Sequence, residues 1–320
     1  MVVFFFMVEE TLDGEIRSDF FGRTAIITPA RAARPHDFTS PKRPQKKLKP
    51  SECFFCPGNE HLTPPELDRT ELENKKGWLN RVFPNRFPAL SPKWKKAYGY
   101  HEVLVETPEH QKTLSDLTDK EIFYYLDMIK KRILAHSKDK KIRYPSVFKN
   151  EGLDAGASLE HTHTQLVFLP FVPEYVLKQK AALSKGKCAL CNIKKDKKYP
   201  KIYQTKNFLF LAPYVPKYKY ETWIVPKNHI GSIIDLDDKG LEELAKIFLI
   251  AIKTQDFFLN YAPYNILFHL APYGDKNFHF HLSFVPRLAK WAGFEHQTGV
   301  ILSSISSEKT ASDYRLNLKL

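Results

Sequence analysis

The sequence predicts an α+β fold built twice in tandem, with an antiparallel sheet and one long helix in each half. Three observations predict it. All four cysteines fall in two Cys-x-x-Cys pairs, Cys53/Cys56 and Cys188/Cys191, and each pair is followed by a histidine and then a His-x-His. The spacing recurs: His110 lies 54 residues after Cys56 and His161 another 51, while His229 lies 38 after Cys191 and His279 another 50. Between these markers, each half carries a strand-like run and then a helical pattern, in the same order. In 320 residues, a length that suits about two domains, this reads as an internal duplication.

The elements follow in order. Met1–Val8 (MVVFFFMV) reads as a strand: it is too short to span a bilayer and turns acidic at Glu9 and Glu10. Cys53 and Cys56 are followed by Pro57-Gly58-Asn59, a turn rather than the helix of a redox Cys-x-x-Cys. Tyr100–Val105 alternates with period two, as a strand does. Thr118 and Glu121 form a capping box, and Ile122, Leu126, Ile129 and Ile133 repeat at helical spacing behind it. His161–Leu169 is an apolar strand ended by Pro170, and the halves join near 173–186. In the second half Tyr220–Val225 is the strand, and Asp237 or Asp238 caps a helix with an apolar stripe of Leu241, Leu244 and Phe248. His279–Val285, ended by Pro286, closes the series. Residues 1–175 and 176–320 are the expected halves.

Composition excludes several classes. Apolar residues at 43% and aromatics at 13% rule out a disordered or fibrous chain. No apolar run approaches the ~20 residues of a membrane helix, so a soluble cytoplasmic protein is expected. Lys+Arg of 49 against Asp+Glu of 36 leaves +13, a Lys-rich solvated surface that also attracts anionic ligands such as phosphates. No helix-turn-helix or RNP-type motif points to nucleic acid.

Two Cys-x-x-Cys pairs in such a chain read as metal–thiolate knuckles. A closed zinc site takes four ligands, and histidine is the usual second supplier. On a strand, His-x-His places both rings on one face, ~6–7 Å apart, too far to share one small ion. That suits one histidine on the metal and its neighbour facing a substrate. Cys53, Cys56, His110 and His161 are therefore expected to bind one zinc, and Cys188, Cys191, His229 and His279 a second. Four protein ligands leave no open position, so both zincs are structural. The halves differ around the remaining histidines. Thr164 and Gln165 follow His163, and a Gly/Ala/Ser-rich stretch with Gly152, Gly156 and Ser158 precedes it, backbone that can approach a phosphate closely. The counterpart in the second half, residues 269–277, holds Pro272 and a single glycine. One half is expected to be catalytic and the other to buttress it.

Residues 150–165, NEGLDAGASLEHTHTQ, resemble the active-site segment of the galactose-1-phosphate uridylyltransferase family, a two-repeat branch of the histidine-triad nucleotidyltransferases. IITPARAARP (26–35) is similar to its arginine segment, CFFCPGN (53–59) to its zinc knuckle, FPNRFPAL (83–90) to its nucleotide-contact strand, TPEHQKTL (107–114) to the segment giving its third zinc ligand, and KWAGFE (290–295) to its C-terminal sugar-phosphate segment. The resemblance implies two histidine-triad-like repeats and double displacement. The His163 imidazole attacks the α-phosphorus of a nucleotide sugar, releases sugar 1-phosphate, and passes the nucleotide to an acceptor such as a second sugar 1-phosphate. It implies that Gln165 donates to the phosphoryl oxygen, that Ser158 and Gly156 hold the leaving phosphate, and that Arg31, Arg34 and Lys290 supply countercharge. Asn85 and Asn150 would contact ribose or phosphate, and Glu295 the sugar phosphate. Uridylyl transfer between hexose 1-phosphates is the leading expectation. Thr162, where uridylyltransferases typically carry proline, and the second Cys-x-x-Cys look more like the ADP-glucose phosphorylase branch, which makes adenylyl transfer the alternative. His269 and His281 leave an iron-type second site open. A homodimer is implied, and a non-catalytic zinc protein that binds nucleotides is the contrasting reading.

Overall fold

A computed structural model describes residues 14–29, 48–72, 77–184 and 187–320. The expected strand at Met1–Val8 lies outside the described residues, as do Arg31 and Arg34.

The first half contains β1 (Glu15–Ser18), β2 (Thr24–Ile27), β3 (Asp68–Glu71), β4 (Trp78–Pro84), β5 (Tyr100–Val105), α1 (Asp119–His136), β6 (Tyr144–Glu151) and β7 (His163–Leu169). Then come α2 (Glu174–Leu183), α3 (Ala189–Asn192), β8 (Lys201–Gln204), β9 (Phe208–Leu211), β10 (Thr222–Pro226), α4 (Asp238–Phe258), β11 (Tyr264–His269), β12 (His281–Pro286), α5 (Gly293–Thr298), β13 (Ile301–Ser303) and α6 (Ser307–Leu316). The main sheet has ten strands in the order β3-β4-β5-β7-β6-β11-β12-β10-β9-β8. Counting only main-sheet strands, the order read inward from either edge is the same: first, second, third, fifth, fourth of the half. The duplication in the sequence is thus a duplication in topology.

The two expected sheets are fused into one. β6 pairs antiparallel with β11, with Phe148 opposite Leu267 and Asn150 opposite Asn265. Each half alone would leave that strand as an open edge, and pairing the two edges satisfies both rows of backbone groups. A smaller three-stranded sheet joins β1, β2 and β13, the last running parallel to β2.

Helices α1 and α4 pack together on one face of the main sheet. Thr118 Oγ1 accepts from Glu121 N–H at 3.2 Å, and Glu121 Oε2 accepts from Thr118 N–H at 2.7 Å, the expected capping box. Asp237, rather than Asp238, caps α4 by accepting from Gly240 N–H at 2.8 Å. Ile122, Leu126, Ile129 and Ile133 of α1 and Leu241, Leu244, Phe248 and Ile252 of α4 are fully buried in one core. Two expectations shift. The segment joining the halves is itself helical, because Val176, Gln179 and Leu183 of α2 share one buried face. Strands β7 and β12 begin at His163 and His281, so the first histidine of each pair lies just before the strand, where its ring turns toward the cysteines.

On α4, Asp256 is buried, and burial pushes its carboxyl up to about 7, with Glu151 and Asp116 adding repulsion against the help of Ser115 and Lys149. Between the ordinary 3.8 and about 7, the native state keeps a proton that the unfolded chain has lost. Stability held below that window therefore falls as pH rises through it, by on the order of 4 kcal/mol. Urea unfolding at pH 5 and pH 8 should show the upper part of this fall, about 3 kcal/mol, in the wild type and a much smaller one in Asp256→Asn; equal falls would contradict the assignment.

Candidate active site and metal clusters

On β7, His163 and Gln165 face one way, with Val105 and Val103 beside them on β5, while Thr164 and Leu166 face the helices. Phe55, Phe83, Val103, Val105 and the two cysteines form a small apolar cluster on the site-bearing face. This arrangement seats the catalytic candidates directly against the first metal cluster.

Cys53, Cys56, His110 and His161 present ligand atoms that all lie within 4.8 Å of one another, and so do Cys188, Cys191, His229 and His279. In the first set, Cys53 Sγ and Cys56 Sγ each lie 3.5 Å from His161 Nδ1, and Cys56 Sγ lies 3.2 Å from His110 Nδ1. In the second, Cys188 and Cys191 lie 3.4 and 3.5 Å from His279 Nδ1, and Cys191 lies 3.4 Å from His229 Nδ1. A tetrahedral zinc with bonds of ~2.3 Å to sulfur and ~2.0 Å to nitrogen would set these edges at about 3.5 Å. The tautomers agree. His161 Nε2–H donates to the Thr107 carbonyl at 2.8 Å, His279 Nε2–H to that of Pro226 at 3.0 Å, and His229 Nε2–H to that of Lys276 at 2.9 Å. Each Nδ1 lone pair is thereby left for a metal, the outer bond fixing the ring. Both clusters can hold a metal ion.

His163 is built differently. Its Nδ1–H donates to the His161 carbonyl at 2.9 Å, so the cluster histidine orients the next imidazole through its own backbone. Nε2 is then the nitrogen with the lone pair, and the ring, 6% exposed, lines a cavity of about 380 Å³. Burial is the main cause that holds this imidazole below its ordinary 6.5, and it is neutral near pH 7. Phe55 stands edge-on to the ring at 5.4 Å and fixes its tilt.

Of the substrate residues expected from the sequence, Asn85 and Ser158 line this cavity with His163 and Gln165, together with Phe54, Thr63, Arg86 and Phe87. Asn150 and Gly156 shape the approach instead. Asn150 Nδ2 donates to the Gly156 carbonyl at 3.4 Å, and Asn265 Nδ2 holds Asn150 Oδ1 at 2.8 Å and the Ala155 carbonyl at 2.9 Å. Gly156 sits at φ +89° and Gly152 at φ +81°, where a Cβ on Gly152 would also meet Pro263 at 3.0 Å. Lys290 pairs with Asp154 of this loop at 3.2 Å, while Glu295 accepts from Ala292 N–H at 3.0 Å and helps to start α5. Both line a separate cavity of about 40 Å³ with Trp291 and Lys217.

Behind the site lies a group that the sequence reading missed. Glu106 accepts from Thr162 Oγ1 and Thr164 Oγ1, both at 2.6 Å, and from Lys149 Nζ at 2.9 and 3.1 Å. Lys149 also pairs with Glu151 at 2.9 Å, and the side chains of Lys149 and Glu106 are fully buried. The available signal was a lysine within the alternating run of β6, on the face that carries Val147.

The second half keeps the frame and loses the opening. His281 Nδ1–H donates to the His279 carbonyl at 3.1 Å, as His163 does to His161. Its ring, however, lies flat against His269 at 4.1 Å, with Trp223 at 5.4 Å and Phe21 at 6.1 Å. His269 Nε2 is engaged by Ser283 Oγ at 3.0 Å and Nδ1 by the Gln179 amide at 3.3 Å. Among the described residues, neither His269 nor His281 belongs to a group that could hold a metal ion. A cavity of about 500 Å³ lies beside the second cluster, walled by His229, Asp235, Tyr273 and Lys276 rather than by the second His-x-His.

Residues 14–173 match the N-terminal domain of galactose-1-phosphate uridyl transferase, and residues 169–296 match its C-terminal domain. The chain belongs to the galactose-1-phosphate uridylyltransferase family. Within that family, it is 34% identical to the ADP-glucose phosphorylase of Arabidopsis thaliana, over 96% of this chain and 93% of that protein. It is 29% identical to the galactose-1-phosphate uridylyltransferase of Thermotoga maritima, over 86% of this chain and 92% of that protein. The crystal structure of the Arabidopsis thaliana ADP-glucose phosphorylase with bound ADP-glucose superposes with a TM-score of 0.84 at 33% identity, covering 95% of this chain and 99% of that one. The chain is thus an enzyme of the family's nucleotidyltransferase type, with a two-part α+β fold, and nucleotide-sugar and sugar-phosphate substrates fit its relatives. Among the described residues no helix is long and apolar enough to cross a membrane.

Proposed function

We propose that the protein transfers an adenylyl group from an ADP-sugar through His163. His163 Nε2 attacks the α-phosphorus, the bond from that phosphorus to the bridging oxygen breaks, and sugar 1-phosphate leaves with the electron pair. An acceptor oxyanion, inorganic phosphate or a second sugar 1-phosphate, then attacks the same phosphorus and frees the imidazole. The observation that carries this reading is the His163 imidazole, with Nδ1–H bound to the His161 carbonyl and the ring on the wall of the cavity.

Support for adenine comes from the 34% identity to the ADP-glucose phosphorylase and from Thr162, whose hydroxyl donates to Glu106. A proline there has no hydroxyl and could not make that bond. Uridylyl transfer between hexose 1-phosphates is the second reading, supported by the Thermotoga maritima relative. We further infer that both metal clusters hold zinc and serve as structural clamps. Residues 1–175 form the catalytic half and 176–320 the buttress, and the protein is a cytoplasmic homodimer. Ser158 holds the leaving phosphate, Asn85 the nucleotide, and Arg31, Arg34 and Lys290 supply countercharge.

Intact mass after incubation with ADP-glucose or UDP-glucose tests the base. The reading predicts a gain of one AMP from ADP-glucose and little or no gain of UMP from UDP-glucose. A UMP gain with no AMP gain would transfer the assignment to the uridylyl reading.

A further inference from the structure

Gln165 can stabilise charge on a phosphoryl group only if its amide nitrogen, rather than its oxygen, faces the cavity. The neighbouring strand decides this. His101 of β5 lies next to Gln165 on the site-bearing face, and the Ala89 backbone N–H donates to His101 Nδ1 at 3.1 Å. An imidazole nitrogen that accepts a hydrogen bond carries no proton, so in the neutral ring the proton is on Nε2. Burial holds His101 toward this neutral form. Nε2 lies 2.8 Å from Gln165 Oε1, and a protonated Nε2 there can only donate to an oxygen. The Gln165 oxygen is therefore tied to His101, and its NH₂ is left for the cavity that His163 lines.

His101 also holds the adjoining wall. Its carbonyl accepts from Asn85 N–H at 2.7 Å and its Nδ1 accepts from Ala89. The loop between, held further by Asn85 Oδ1 accepting from Phe87 N–H at 2.8 Å, supplies Asn85, Arg86 and Phe87 to the cavity.

We propose that His101 is a positioning residue for nucleotidyl transfer, acting as a neutral donor that orients the Gln165 amide toward the phosphoryl group at His163. This rests on the reading of His163 as the nucleophile. The test is the rapid-quench rate of nucleotidyl-protein formation in the wild type, His101→Leu, His101→Gln, Gln165→Ala and the double variant His101→Leu/Gln165→Ala. The nucleotide sugar is whichever of ADP-glucose and UDP-glucose labels the wild type. Removing a direct oxyanion donor costs about 10²–10³ in rate, so loss of its positioner should cost roughly 10- to 100-fold. At saturating nucleotide sugar, where weaker binding through the Asn85 wall does not enter the rate, His101→Leu is expected to slow adduct formation by that factor. His101→Gln, whose amide can donate from the place of Nε2, should recover part of the rate and also guards against loss of fold in the leucine variant. The double variant should be no slower than Gln165→Ala alone, because both act through one amide. Wild-type rates in both His101 variants, or losses that multiply in the double variant, would overturn the role. If the wild type forms no adduct, the failure lies with the nucleotidyl-histidine reading, and this proposal falls with it.

Discussion

Cys53→Ser should lose one of two metal ions per chain, and with it most of the stability of the first half and all nucleotidyl transfer. The cysteine lies 3.5 Å from His161 Nδ1, and the His161 carbonyl holds the His163 ring at 2.9 Å. With an ion bound, metal, ligand and proposed nucleophile would form one chain of contacts, so releasing the ion would free the ring that must be aimed. Apparent zinc-binding free energies of about 10–16 kcal/mol in small zinc domains show how much folding free energy such a site can supply. Metal content by plasma mass spectrometry and thermal unfolding should both register the loss. Cys188→Ser should lose the other ion and keep the first. Two ions retained in Cys53→Ser would remove the metal from the account of the active site.

The second large effect is expected at Lys149. Its ammonium is fully buried between Glu106 and Glu151, and Glu106 in turn accepts the hydroxyls of Thr162 and Thr164, which flank His163. Lys149→Met leaves Glu106 as a buried carboxylate without its countercharge, which costs about 3–5 kcal/mol when one partner of such a pair is removed. Adding Glu106→Gln should restore a good part of that, since it removes the stranded charge while keeping acceptors for the threonines. Urea unfolding of the single and double variants is the measurement. A single-variant cost below about 1 kcal/mol would show that the pair is better solvated than its burial indicates.

These predictions separate what the sequence makes legible from what it hides. The duplication, both helices with their caps and both metal clusters could be read from residue type and spacing, because cysteine and histidine at recurring intervals have few structural uses. The fusion of the sheets was hidden, since the pairing of Phe148 with Leu267 depends on which edges meet, and no local pattern encodes that. His101 and the Glu106–Lys149 pair were hidden for a related reason: their meaning comes from cross-strand neighbours, and the register of β5 on β7 decides that His101 adjoins Gln165. Asn150 is expected to contact ribose or phosphate, and what the sequence did not reveal is that its amide also donates to the Gly156 carbonyl of the loop before His163. The rings around His281 include Phe21, a residue remote in sequence from the His-x-His it stacks beside.

The central claim is that His163 Nε2 carries the nucleotide during turnover. Its most direct test is an alkaline quench of the protein with ADP-glucose, and in parallel UDP-glucose, followed by proteolysis and mass spectrometry of the peptide that spans residue 163. The account predicts one nucleoside monophosphate on His163, stable to alkali, labile to acid and formed at least as fast as turnover. Turnover with no labelled peptide, or with the label on another residue, would contradict it.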